Sequence, residues 1–381
     1  MSVPEPQAFT VSTRDDTQLR ADLAAWLTAT TGTPVAVTTL HRPEGNGMSS
    51  DTVLFDAEWS PDAGLEAGER GGSFVARIEP STDAFPVFPT YDLAAQVRAM
   101  RLVGERTDVP VPAVRWVEDS PDVLGARFFV MDRVDGRVPP DVMPYPMGWW
   151  LSEASEEDQA ALVAASAGVL AAIHGTEASA DELAFLDAGR AGHAGSSALA
   201  RQFAGERAYY EWVRGTGRLP LIERAFTWLE GCWPVAADAR PPVLCWGDAR
   251  IGNILYQGFT PAAVLDWEMA TLAPPELDLG WTIFMHRFFQ DLCEDMGLPG
   301  MPDFLHRDDV VEAYVRAGGR EPRDLDWFIT YAAVRHGTIM VRVMGRQVFF
   351  GESEEPADRE EFILHRRSLE RMLDGHYWPV S

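Results

Sequence analysis

VLCWGDARIGNILYQGFTPAAVLDWEMATLAPPELDLGW, residues 243–281, is the stretch on which the reading of this chain turns. Asp248 is followed, after four intervening residues, by Asn253, and a β-prone run, a turn over 257–261 and a second run ending at Asp266 come next. A hairpin of that length brings Asp248, Asn253 and Asp266 to one mouth. All three offer hard oxygen ligands, the kind that Mg²⁺ takes in small number alongside substrate phosphates. Any one of them read alone is an ordinary turn residue. Their joint spacing carries the signal.

Upstream, residues 15–29 place Leu19, Leu23, Trp26 and Leu27 at helical spacing behind an acidic first turn, with Gly32 and Pro34 as the stop. Residues 35–40, 52–59 and 73–78 are short β-prone runs broken by turns, read as an antiparallel meander. Helical spacing returns over 92–104, and two further strands follow at 114–117 and 127–131 around a Ser-Pro-Asp turn. After Gly136 comes a Pro-rich stretch, and from Glu156 the pattern is helical apart from one strand pair around 243–265. The class is α+β and bilobal, a small antiparallel β-sheet lobe joined to a larger, mainly helical lobe. The expected parts are an N-terminal helical extension (1–34), a small lobe (35–135) and a helical lobe (136–381).

The chain has 381 residues and a formal net charge of −26, and it contains no lysine: all 32 basic residues are arginines. That excludes a Walker-type phosphate loop and any Schiff-base lysine. The acidity argues against nucleic acid, which needs clustered cations, and against an anionic membrane. Three cysteines fit neither a zinc ribbon nor C-x-x-C, and residues 1–18 lack a charged start followed by an apolar core. The expectation is a cytoplasmic protein.

The spacing D-x-x-x-x-N with an Asp at a strand end, inside WGDARIGN and LDWEMA…PPELDLGW, resembles the aminoglycoside phosphotransferase family of protein-kinase-like fold. More narrowly it resembles an actinobacterial branch related to the kinase-like domains fused to some acyl-CoA dehydrogenases. The resemblance runs from about Val35 onward. It implies that Asp248 is the catalytic aspartate that takes the acceptor proton and that Asn253 and Asp266 hold Mg²⁺ against ATP, with GTP as the alternative donor. The family's usual His two residues before the aspartate is Trp246 here. Asp278 would anchor the catalytic loop, and Glu268 either supports the site or faces solvent.

In the small lobe the resemblance places Arg77 where related kinases carry a phosphate-gripping lysine; an arginine binds phosphate bidentately and stays charged. Its expected helical partner is Gln96. The segment 44–50 occupies the nucleotide-loop position, with Ser49 and Ser50 as phosphate contacts. Residues 128–136 resemble the inter-lobe hinge, which assigns Asp132 and Val134 to the adenine edge through their backbone. The acceptor is a small-molecule alcohol, such as a hydroxyacyl-CoA or another hydroxylated metabolite or antibiotic. It is expected to lie among 145–150, the aromatics from Trp281 to Phe289, and 327–346 with Tyr331, Arg335, His336 and Arg342. Most of those aromatics, and His174, read equally as core packing. The competing reading is a non-catalytic nucleotide- or acyl-CoA-binding module. The chain lacks an H-R-D-x-x-x-x-N catalytic loop, a D-F-G and a G-x-S-x-G, which disfavours a protein kinase or a hydrolase.

Overall fold

The computed structural model describes residues 12, 14–43, 49–60, 71–188, 193 and 195–377; of the expected nucleotide loop, 44–48 lie outside the described residues. Helix α1 (Asp16–Thr31) starts where the Asp15 carboxylate accepts the Gln18 N–H and stops at Gly32, whose φ of 69° closes the last turn. The four residues picked by spacing, Leu19, Leu23, Trp26 and Leu27, are its buried face. They pack with Val53, Phe55 and Phe128 of the small sheet, Trp26 meeting Phe128 edge-on at 4.6 Å. The helical extension is therefore part of the small-lobe core.

Strands β1 (Val35–His41), β2 (Asp51–Trp59), β3 (Gly71–Ile78), β4 (Val114–Glu118) and β5 (Phe128–Asp132) form one antiparallel sheet in the order β1-β2-β3-β5-β4. The first three make the expected meander. The last two are a hairpin whose second strand inserts beside β3, so that the chain leaves the sheet from its middle, toward the large lobe. Because side chains alternate along a strand, Ala76 and Ile78 join the α1 face while Arg77 points to the opposite one. Helix α2 (Leu93–Arg106), capped by Asp92, covers that second face.

The large lobe holds α3 (Glu156–His174), α4 (Ala180–Leu183), α5 (Phe185–Ala188), α6 (Ala198–Arg214), α7 (Pro220–Gly231) and α8 (Val235–Asp238). Then come β6 (Val243–Cys245), β7 (Ile254–Gln257), β8 (Thr260–Val264) and β9 (Thr271–Ala273), and after them α9 (Glu276–Asp295), α10 (Arg307–Arg316), α11 (Leu325–Phe349) and α12 (Arg366–Leu373). The expected hairpin is β7–β8, but a second pair, β6–β9, flanks it. A three-residue strand has no periodicity of its own, and β9 exists because β6 needs a partner. Helices α9 and α11 pack along each other, and Phe284, Phe288, Phe289 and Tyr145 sit in the common core. No helix among the described residues is long and apolar enough to cross a membrane.

Burial in this core pushes the His286 imidazole down to about 3, with Nδ1 on the Tyr145 hydroxyl at 2.7 Å and Nε2 on the Met301 carbonyl at 3.0 Å. A histidine held neutral when folded contributes stability above its unfolded pKa of about 6.5, lost as pH falls through that value toward the folded pKa. Relative to a non-titrating His286→Gln variant, the wild type should therefore lose about 1 kcal/mol between about pH 7 and pH 5.5 in urea unfolding. A difference that stays flat over that window would contradict neutral burial.

Candidate active site

Between the lobes lies a cleft of about 720 Å³ whose walls include Arg77, Gln96, Asp132, Val134, Asn253 and Asp266. Arg137 bridges to Tyr256 of β7 through reciprocal backbone bonds of 2.9 and 2.8 Å, which fixes the chain leaving the small lobe against the β7–β8 hairpin. Val134 stands just before this tie. Its N–H and C=O have no partner among the described residues, so both are open to the cleft's contents. The Asp132 side chain turns away into a two-pronged ion pair with Arg115, both bonds 2.7 Å, and its backbone N–H donates to the Ala113 carbonyl at 3.0 Å, so neither is left for a hinge role.

Residues 246–253 form a tight loop between β6 and β7. Gly247 has a φ of 92°, and a Cβ there would sit 2.0 Å from the Met269 carbonyl oxygen, so only glycine fits. The loop hangs on Asp278 of α9, which is fully buried and accepts the Trp246 and Gly247 N–H groups at 2.7 and 2.8 Å. His174 adds a third bond at 3.0 Å and touches the Tyr314 hydroxyl at 2.9 Å. Together with Cys245 these residues are the one cluster of three His, Cys, Asp or Glu groups close enough to share a metal among the described residues. Asp278 already bonds His174 and the loop, and the Cys245 thiol donates to the Ala273 and Pro274 carbonyls, so the cluster works as an anchor. Asp278→Ala leaves two buried N–H groups without acceptors and should cost about 3 kcal/mol in denaturant unfolding; a loss below about 1 kcal/mol would contradict the anchor.

Both Asp248 oxygens are occupied. Oδ1 accepts the Trp281 indole N–H at 2.7 Å and Oδ2 the Asn253 amide N–H at 2.7 Å, while Arg250 Nε lies 3.0 and 3.1 Å from the two. Trp246, in place of the usual histidine, is buried and donates its indole N–H to the Leu265 carbonyl at 2.8 Å, so it performs the loop-packing work. Because Asn253 gives its nitrogen to Asp248, its amide oxygen is left for a cation. Asp266 follows β8 with a φ of 59° and faces the same cleft. An amide oxygen and a carboxylate on one wall suit Mg²⁺.

Arg77 is buried in the cleft wall, its Nη1 on Thr52 Oγ1 at 3.0 Å and its Nη2 on Asp266 Oδ1 at 2.8 Å. Glu268 stands 3.7 Å from the same nitrogen. Burial opposes the charge on Arg77, but the two carboxylates outweigh it and hold the guanidinium protonated. Gln96 is buried nearby and lines the cleft, yet the partners of Arg77 are Asp266 and Glu268. The expected Arg77–Gln96 bond is thus replaced by pairing to the metal-site side, because an amide cannot compete with two carboxylates for a buried cation. Glu268 is likewise buried rather than solvent-facing; burial and then Asp266 push its carboxyl up to about 8, against the pull of Arg77 and a hydrogen bond from Ser49. Ser49 thus reaches the site through Glu268, while Ser50 is buried with its hydroxyl unpaired among the described residues.

Arg250 and Asp141 were not marked by sequence reasoning. Arg250 joins Asp248 to Asp141, and although burial works against its charge the two carboxylates keep it ionised. An arginine two residues past Asp248 in DARIGN was a usable signal. Asp141, far off in a Pro-rich run, carried none.

The model of the family described as "Phosphotransferase enzyme family" matches residues 51–328. A curated relative from Arabidopsis thaliana, "Probable acyl-CoA dehydrogenase IBR3", is 24% identical over 347 residues, covering 86% of this chain and 39% of that protein. The chain thus spans about two fifths of that relative's length. Among solved structures, a "putative aminoglycoside phosphotransferase" from Ralstonia eutropha has a TM-score of 0.62 at 20% identity, with 96% of this chain and 98% of that one covered. The ternary complex of aminoglycoside phosphotransferase APH(4)-Ia with ADP and hygromycin B has a TM-score of 0.53 at 16% identity, with 94% and 100% covered. These likenesses show the fold.

Proposed function

The chain belongs to the phosphotransferase enzyme family, and from that premise we propose that it transfers the γ-phosphoryl group of ATP, or of GTP as the alternative donor, to a hydroxyl of a small molecule. The observation that carries this reading is that Arg77, Asn253 and Asp266 line one cleft, with Asp248 a single hydrogen bond beyond Asn253. On this reading the free N–H and C=O of Val134 meet the edge of the base, and Arg77 swings part of its fork from Asp266 to the α- and β-phosphates. Asn253 Oδ1 and the Asp266 carboxylate would hold Mg²⁺, which when bound neutralises charge on the β- and γ-phosphates. Asp248, oriented by Trp281 and Asn253, accepts the acceptor's proton. A bond forms from the acceptor oxygen to the γ-phosphorus, the bond from that phosphorus to the β–γ bridging oxygen breaks, and the nucleoside diphosphate leaves. Arg250 is placed beside Asp248 to meet charge on the phosphoryl group in flight.

A hydroxyacyl-CoA belongs in the acceptor class because the Arabidopsis relative is named for acyl-CoA chemistry; other hydroxylated metabolites and antibiotic alcohols share the required group. Supply of ATP and three cysteines without a disulfide partner fit a cytoplasmic setting. The site's test is calorimetric titration of ATP with and without Mg²⁺. Binding that Mg²⁺ tightens about tenfold or more is expected; absence of nucleotide binding in either condition would refute the reading and leave a module that binds something else.

A further inference from the structure

Across the segment 266–270 from the nucleotide cleft, a second cavity of about 330 Å³ opens between α6, α11 and the start of α2. Gln96 and Trp267 line both cavities, so the two meet at one partition. Two side chains in its wall have a nitrogen without a hydrogen-bond partner among the described residues: Arg335 Nη1 and Gln202 Nε2. Arg335 is 2% exposed and Gln202 1%. Buried N–H donors left unmet are rare in folded proteins and ask for a ligand or an ordered water.

Both donors are held in place from behind. Gln202 accepts the Tyr331 hydroxyl through its amide oxygen, which fixes its nitrogen as the free end. The Arg335 guanidinium lies 4.8 Å from the centre of the Trp281 ring, with Nε 3.4 Å from Glu206, so one edge faces a carboxylate and Nη1 remains. Trp281 is the residue whose indole N–H orients Asp248. The cation therefore stands one indole ring away from the catalytic base. Of the cavity's carboxylates, Glu206 faces Arg335 and Asp92 caps α2, while Glu268 accepts from Ser49 and pairs with Arg77 at 3.7 Å, its Oε2 without a hydrogen bond among the described residues.

We propose that this cavity holds the acceptor and that the acceptor is an anionic alcohol, its carboxylate or phosphate oxygens received by Arg335 Nη1 and Gln202 Nε2 while its hydroxyl points to Asp248. The assignment rests on the phosphotransferase reading for the fate of the hydroxyl, and on the two buried donors alone for the anion. It sets this chain apart from a binder of polycations: a cationic acceptor would leave both N–H groups unmet and add charge beside Arg335.

The test is calorimetry on the full chain, without nucleotide, using four hydroxylated probes of similar size: hydroxybutanoate, glycerol phosphate, butanediol and aminobutanol. At least one of the two anions should bind about tenfold or more tightly than the diol and the amine, and which of them does so tells carboxylate from phosphate. Arg335→Met, which keeps the stem's packing, should reduce the anion to the level of the diol. Arg335→Lys should restore part of the preference, and Gln202→Leu should weaken the anion severalfold, keeping the question open to test if Arg335→Met fails to fold. Equal binding of the diol or amine, no binding of either anion, or anion binding unchanged in a folded Arg335→Met or Gln202→Leu would overturn the proposal. Anion selectivity lost in the variants, in a protein that binds no ATP, would support the anion site and refute the phosphotransferase reading. ATP binding without anion selectivity would do the reverse.

Discussion

Asp248→Ala is expected to lower phosphoryl transfer about a thousandfold, within the range for loss of a positioned general base. The cause is loss of the one carboxylate that three elements converge to aim: Trp281 from α9, Asn253 from the start of the hairpin, and Arg250 from the loop itself. The substitution also leaves Arg250 paired only with Asp141, so its guanidinium is drawn away from the reacting centre. Asp248→Asn should be no milder. Both carboxylate oxygens accept hydrogen bonds, and an amide must turn its NH₂ group toward one of those donors. Single-turnover rates with Mg-ATP and an acceptor alcohol that the unmodified protein phosphorylates measure both variants. Retention of more than about a tenth of the wild-type rate by Asp248→Ala would remove Asp248 from the role of base.

The second large effect is expected at Asp266, and here the conservative change is the informative one. Asp266 has a φ of 59°, a conformation that Asn tolerates and Ala does not, so Asp266→Asn leaves the backbone undisturbed while removing one negative charge. Arg77 keeps Glu268 at 3.7 Å and Thr52 at 3.0 Å, which holds the cleft wall together. The folded variant should transfer phosphoryl groups about a thousandfold more slowly. Mg²⁺ should no longer tighten its binding of ATP. A variant that retains the wild-type Mg²⁺ effect would place the cation elsewhere.

What the sequence made legible was what it encodes locally. Helix α1 follows from four apolar residues at helical spacing between an acidic first turn and a glycine stop, and the strand carrying Arg77 follows from a β-prone run bounded by turns. The spacing of Asp248, Asn253 and Asp266 is legible because one loop and one hairpin join them. Partners that meet only through tertiary packing were not. Gln96 matches the usual position of a helical acid, but whether Arg77 turns to it or to Asp266 is decided by competition inside the folded cleft. Asp141, more than a hundred residues from Arg250, and Gln202, on a different helix from Arg335, have no short-range pattern that announces them. Strand β9 is too short to show a period and exists through its pairing with β6.

The most direct measurement of the central claim is mass spectrometry of a pool of acceptors, including aminoglycosides, macrolides, hydroxyacyl-CoAs and simple hydroxy acids, incubated with the protein, Mg²⁺ and ATP. The account predicts that an acceptor gains one phosphoryl group with the unmodified protein, with the nucleoside diphosphate formed in equal amount, and that none does with Asp248→Ala. A phosphorylated acceptor formed equally by Asp248→Ala, or a protein that neither binds ATP nor modifies any member of the pool, would contradict it.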